Sequence, residues 1–125
     1  MPRSRSLSRS EIDTLAAMRP FVLHGRLLTL VWAPLPGLRH AKGACSVSKK
    51  VSLRAVDRNR IKRRVRDILR PFLDGAPSPV ALLVRTKKDA FGADMTALRA
   101  DIEPLLHRIS GQLSAPPGTR YNART

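Results

Sequence analysis

The sequence predicts a small α+β domain, a two-layer α/β sandwich in which a strand, a strongly basic helix and another strand form a βαβ unit. Three observations carry this. Short apolar runs of strand length alternate with longer stretches of helical periodicity. The chain has 125 residues, which suits one domain and not two. Apolar residues make up 42% but aromatics only 4%, so the core must come mainly from Leu, Val, Ile and Ala.

Each element has its own signal. Residues 1–7 read as a disordered basic arm, residues 8–111 as one domain, and the Ser/Ala/Pro/Gly-rich residues 112–125 as a flexible tail. Ser8 and Glu11 stand at capping-box spacing, so a short helix begins near Arg9. Ile12, Leu15 and Ala16 form its apolar face, and Pro20 stops it. The stretch Phe21–Trp32 is apolar and broken by His24-Gly25, which predicts a strand at Leu27–Trp32 and a short one before it. Pro34, Pro36 and Gly37 mark a loop. From Ala44 to Val51, Cys45, Val47 and Val51 alternate with Ser46, Ser48 and Lys50, the pattern of a half-buried strand. Between Arg54 and Arg70, Ile61, Val65 and Ile68 recur at helical spacing. This predicts a helix of ~16 residues, ~24 Å long, closing at Pro71 with Phe72 just past it. Asp74–Pro79 is a turn, and Val80–Val84 is short and apolar enough for a buried strand. Met95, Leu98, Ile102, Leu105 and Ile109 describe a second amphipathic helix. Pro104 predicts a kink or break in it, and Gly111 its end.

Charge narrows the function. Lys and Arg number 24 against 9 Asp and Glu, a net +15. That excess points to a polyanionic partner, nucleic acid before anionic membrane. A single cysteine, Cys45, forms no intrachain disulfide and fits a reducing, cytoplasmic setting. His24, His40 and His107 are scattered and do not form a zinc pattern with it. No apolar run approaches the ~20 residues needed to span a bilayer. The N-terminus is basic and Ser-rich without an apolar stretch, so it is not a secretory signal; Glu11 and Asp13 also argue against a mitochondrial presequence.

The charge is concentrated. Lys49, Lys50, Arg54, Arg58, Arg60, Lys62, Arg63, Arg64, Arg66 and Arg70 crowd one stretch, opposed only by Asp57 and Asp67. Arg58, Lys62 and Arg66 form an i, i+4, i+8 row. Like charges at that spacing cost helix stability, and a polyanion offsets the cost. Arginine suits the task, because its planar fork of donors matches phosphate oxygens. Asn59 reads either as an exposed filler or as an amide that contacts a base edge or sugar. The helix ends without leucine heptads, and strands accompany it, so a basic zipper and a helix-turn-helix protein both fit poorly. A basic helix beside a small sheet suits RNA shape-and-phosphate recognition.

The block Ser46–Asp67, SVSKKVSLRAVDRNRIKRRVRD, resembles the protein component of bacterial ribonuclease P. The matching motifs are Ser46-Val47-Ser48-Lys49-Lys50 and Arg58-Asn59-Arg60, and the likeness extends over residues 8–110. The resemblance implies a sandwich of the ribosomal S5 domain 2-like type with a left-handed βαβ crossover. It also implies a subunit of a ribonucleoprotein endoribonuclease that binds the catalytic RNA and removes the 5′ leader from precursor tRNA. In that family the RNA performs the chemistry with Mg2+, held mainly by the RNA, and a cleft between sheet and helix holds the single-stranded leader. No membrane and no protein partner is then required, and no residue of the chain is expected to be catalytic. RNA-binding residues are expected at Ser48, Lys49, Lys50, Arg54, Arg58, Asn59, Arg60, Lys62, Arg63 and Arg66. The sequence departs from the family at Ser52, where Gly is usual, and in the first helix, where Ile12 and Leu15 stand in place of Phe. Phe21 and Trp32 are therefore the candidate leader contacts. Two other readings share the charge: a structural ribosomal protein, and a membrane-surface or nucleic-acid compaction protein. The narrow stripe of Ile61, Val65 and Ile68 suits packing on a sheet better than lying on a bilayer.

Overall fold

The computed structural model describes residues 6–35, 37–76 and 78–114. The order is α1 (Arg9–Ala17), β1 (Phe21–His24), β2 (Leu28–Pro34), β3 (Lys42–Ser46), α2 (Ala55–Gly75), β4 (Val80–Thr86) and α3 (Met95–Ser114), with a 3-10 turn at Lys88–Ala90. The capping box forms as its spacing requires: the Ser8 N–H donates to Glu11 Oε1 at 2.8 Å, and the Glu11 N–H donates to Ser8 Oγ at 3.2 Å. The helix is over before Pro20, with Arg19 turned into the left-handed region at φ 51°.

One four-stranded sheet runs in the order β1-β2-β4-β3. β1, β2 and β4 pair antiparallel, and β3 pairs parallel with β4 through the α2 crossover. The two central strands are buried on both faces, which explains their nearly continuous apolar runs. Leu28, Leu30, Trp32, Val80, Leu82 and Val84 face α2 and α3. They meet Ile61, Val65, Ile68 and Leu69 of α2 and Leu98, Ile102 and Ile109 of α3. On the other face Val31, Ala33, Ala81 and Leu83 pack with Leu15, Leu7 and Leu35. Each such fully buried Leu, Ile or Val contributes about 1.5–3 kcal/mol.

Several sequence expectations need correction. β3 runs Lys42–Ser46 rather than Ala44–Val51. Lys42 and Gly43 hold register with Ala81 and Leu82, whereas a turn begins after Ser46, where the Val51 N–H donates to the Ser48 carbonyl at 3.0 Å. Val47 and Val51 are still buried, but from that turn. Both long helices pass through their prolines. α2 spans 21 residues and contains Pro71; α3 spans 20 and contains Pro104. An interior proline costs ~3 kcal/mol, and the apolar residues beyond it offset that cost. Leu73 is buried and Phe72 partly buried after Pro71; Leu105, Leu106, Ile109 and Leu113 are buried after Pro104. Gly111 does not end α3 for the same reason. Leu7 is buried, and its N–H donates to the Gly43 carbonyl at 3.1 Å, while residues 112–114 complete α3. The rest of the expected arm (1–5) and tail (115–125) lies outside the described residues.

Candidate nucleic-acid interface

At 100° per residue, α2 divides into three sectors. Ile61, Val65 and Ile68 point into the core and are at most 4% exposed. On the side toward β3 lies the row Arg58, Lys62, Arg66, with Asn59, Arg63 and Arg70 farther out. On the side toward α3 lie Arg60 and Arg64 together with both acids, Asp57 and Asp67.

The cations also divide into committed and uncommitted ones, and the committed ones include Arg58 and Arg70 of the β3 side. Asp57 lies 3.9 Å from Arg54 and 3.9 Å from Arg60, and Asp67 lies 3.5 Å from Arg70. Such exposed pairs are worth about 0–1 kcal/mol each. Arg64 donates from Nη1 to the Ala93 carbonyl at 2.7 Å, tying α2 to the segment before α3. Arg58 donates from Nη1 to the Ser52 carbonyl at 2.9 Å. Among the described residues, no ion pair involves Lys49, Lys50, Lys62, Arg63 or Arg66. The two lysines project from the turn after β3, where the Lys50 N–H donates to Ser48 Oγ at 3.3 Å. Asn59 is exposed, which both of its readings allow.

A cleft of about 480 Å³ opens next to this row. Its walls are Ser6 and Leu7, the outer edge of β3 at Gly43–Cys45, and the Lys62, Arg66, Leu69, Arg70 and Leu73 side of α2; Asp74 closes one end. Gly43 allows the close fit: a Cβ there would come within 3.2 Å of a Leu73 methyl and 3.3 Å of a Leu69 methyl. Burial pushes the Cys45 thiol up to about 12, against the pull of Lys62 and Arg66. It is therefore a neutral, small apolar part of the cleft floor rather than a nucleophile. Among the described residues, no three of His, Cys, Asp or Glu come together as a metal site.

The two candidate leader contacts do not reach this cleft. Trp32 is 0% exposed on the face covered by the helices. Its ring stacks on Phe21 with centroids 4.6 Å apart, so it has no free face for a base. Phe21 is partly buried on β1, at the opposite edge of the sheet from β3. Their aromatic character contributes to the core. Ser6, Leu7 and Gly43, by contrast, line the cleft without having been singled out by the sequence. A glycine inside a strand was the available signal, since it marks close approach of a neighbouring element.

No helix among the described residues is long and apolar enough to cross a membrane. The apolar stripe of α2 is buried in the core, leaving the helix with no wide apolar face to lay on a bilayer.

Comparison with known proteins agrees with this geometry. The ribonuclease P family model matches residues 1–110. The chain is 34% identical over 88 residues to the ribonuclease P protein component of a Synechococcus strain, covering 67% of this chain and 65% of that protein. It is 36% identical over 76 residues to that of Thioalkalivibrio sulfidiphilus, covering 61% and 62%. The matched stretches thus span less than two thirds of these relatives. In structure it resembles a Staphylococcus aureus RNase P protein mutant with defective mRNA degradation activity, at TM-score 0.74 and 18% identity, covering 86% of this chain and 89% of that one. It also resembles the RNase P protein from Thermotoga maritima at TM-score 0.69 and 21% identity, covering 82% and 96%. At these identities the two structures speak for the fold alone. The family match, the curated relatives and the basic helix on its small mixed sheet together make the chain a member of the bacterial ribonuclease P protein component family.

Proposed function

We propose that this chain grips RNA for ribonuclease P, in the cytoplasm, and leaves the cutting to the RNA. The observation that carries the reading is the uncommitted cation set, Lys49, Lys50, Lys62, Arg63 and Arg66, which enters no ion pair among the described residues and adjoins an open cleft. A folded RNA presents phosphates at the spacing of such a surface, and the guanidinium forks of Arg63 and Arg66 suit them. Ser48, Arg54, Asn59 and Arg60 flank this set and extend the contact to sugars and base edges.

The cleft beside β3 takes the single-stranded 5′ leader of precursor tRNA in this reading. Its apolar floor of Leu7, Leu69 and Leu73 accommodates bases, and Lys62, Arg66 and Arg70 at the wall meet the backbone. Leader binding of this kind rests on aliphatic packing and charge instead of aromatic stacking. Mg2+ for the cleavage step is held mainly by the RNA. The two carboxylates within the basic stretch, Asp57 and Asp67, are already engaged with Ser52 and arginines.

The test is reconstitution. Mixed with its cognate catalytic RNA at low Mg2+, the chain is expected to raise precursor-tRNA cleavage, and Lys62→Glu with Arg66→Glu to abolish the gain. An unchanged cleavage rate on adding the wild-type chain overturns the proposal.

A further inference from the structure

Ser52 lies between the Lys49–Lys50 turn and α2 and bonds to the helix through both its backbone and its side chain. Its carbonyl accepts from Arg58 Nη1 at 2.9 Å. Its hydroxyl donates to Asp57 Oδ2 at 3.1 Å and accepts from the Arg54 N–H at 3.2 Å. Arg54, the residue that opens the helix, makes no side-chain cap of its own, so the entry to α2 is held from outside. Ahead of Ser52, Val51 is buried and its N–H donates to the Ser48 carbonyl at 3.0 Å. The turn is thus anchored by an apolar side chain on one side and by a polar network on the other.

We propose that Ser52, Asp57 and Arg58 are positioning residues. They lock the Lys49–Lys50 turn against the first turn of α2, so that these lysines and the Lys62, Arg63 and Arg66 set present phosphate donors in one fixed register. The inference rests on the RNA-gripping function proposed above. It assigns a purpose to the acid that interrupts the basic helix. Asp57 also draws Arg54 and Arg60 to 3.9 Å, relieving repulsion where the cations crowd most closely. It also changes the role of Arg58. With Nη1 on a backbone carbonyl, its main effect on RNA passes through the turn. Holding the turn before RNA arrives reduces the ordering cost that flexible lysines otherwise impose on binding.

The variants are Ser52→Ala, Asp57→Ala and the restoring control Ser52→Thr, which keeps the hydroxyl. None removes a cation, and Asp57→Ala makes the chain more positive. If charge balance were the only role of Asp57, its loss would tighten RNA binding. The lock predicts the opposite sign. Ser52→Ala and Asp57→Ala are each expected to weaken binding to the cognate catalytic RNA about 12- to 160-fold, the range of one hydrogen bond to a carboxylate, with the salt dependence unchanged. In the free chain, amide exchange at Lys50, Val51 and Arg54 should accelerate by a similar factor, and Ser52→Thr should restore both readouts. Melting temperatures, measured in parallel, keep all comparisons on folded protein, and Ser52→Ala is the milder variant. Equal or tighter RNA binding by Asp57→Ala, or amide exchange unaltered in both variants, overturns the proposal. A wild-type chain that shows no salt-dependent RNA binding overturns the gripping function instead, while the exchange experiment still decides whether the lock exists.

Discussion

The uncommitted cations make a quantitative prediction. Lys49, Lys50, Lys62, Arg63 and Arg66 enter no ion pair among the described residues, so each can neutralise a phosphate and release a counterion. Five contacts at about 0.9 counterion each on duplex, or about 0.7 on single strands, give a log–log salt slope of about −3.5 to −4.5. Raising salt from about 50 to about 200 mM should then weaken binding about 130- to 500-fold. Arg66→Ala should flatten the slope by about 0.7–0.9 and weaken binding roughly tenfold or more at low salt. Arg64→Ala is the contrasting control. Its guanidinium is committed to the Ala93 carbonyl at 2.7 Å, so its loss should lower the melting temperature and leave the slope alone. Filter binding across a potassium chloride series at fixed Mg2+ reads every quantity. A slope shallower than about −2, or an Arg64→Ala slope change as large as that of Arg66→Ala, would refute the division of the cations into committed and uncommitted ones.

Three further outcomes follow from local chemistry. Asp101 of α3 accepts from the backbone N–H groups of Arg26 and Leu27, both at 2.9 Å, and so clamps the β1–β2 turn. Asp101→Ala should cost about 3 kcal/mol and lower the melting temperature by roughly 10–15 °C, measured by circular dichroism. The Glu11 carboxyl is held below its ordinary value of 4.5, first by the Ser8 N–H and then, against partial burial, by Lys42. A depressed carboxyl stabilises the fold above its unfolded pKa and loses that contribution as pH falls through the folded pKa. The melting-temperature gap between wild type and Glu11→Gln should therefore be present at neutral pH and close in acid. The Cys45 thiol, pushed up to about 12, should react with iodoacetamide at pH 8 on the order of a thousandfold more slowly than a free thiol until the chain is denatured, as followed by mass spectrometry.

Some features were local enough to read directly from the residues. Ser8 and Glu11 cap a helix because both groups lie within one turn. Ile61, Val65 and Ile68 mark the buried side of α2 because one face of one helix fills the core. The runs around Leu30 and Leu82 show strands covered on both faces. The charge, concentrated between Lys49 and Arg70, pointed to RNA and carried the family likeness with it.

Other features depend on neighbours distant in the chain. Pro71 and Pro104 leave their helices intact because Leu73 and Ile109 find a core beyond them, a gain that no propensity records. Trp32 on β2 stacks on Phe21 of the edge strand β1, away from the cleft, since strand order, not aromatic content, decides where in the sheet a ring sits. The cleft joins Leu7, Gly43 and Arg66, three segments brought together by the parallel pairing of β3 with β4 and by the bond from the Leu7 N–H to the Gly43 carbonyl. The arginines of α2 look alike in the sequence, yet Arg64 holds a carbonyl while Arg66 enters no ion pair among the described residues. Periodicity reports which side of an element is covered. The tertiary structure alone decides what covers it, because the covering group comes from a different part of the chain.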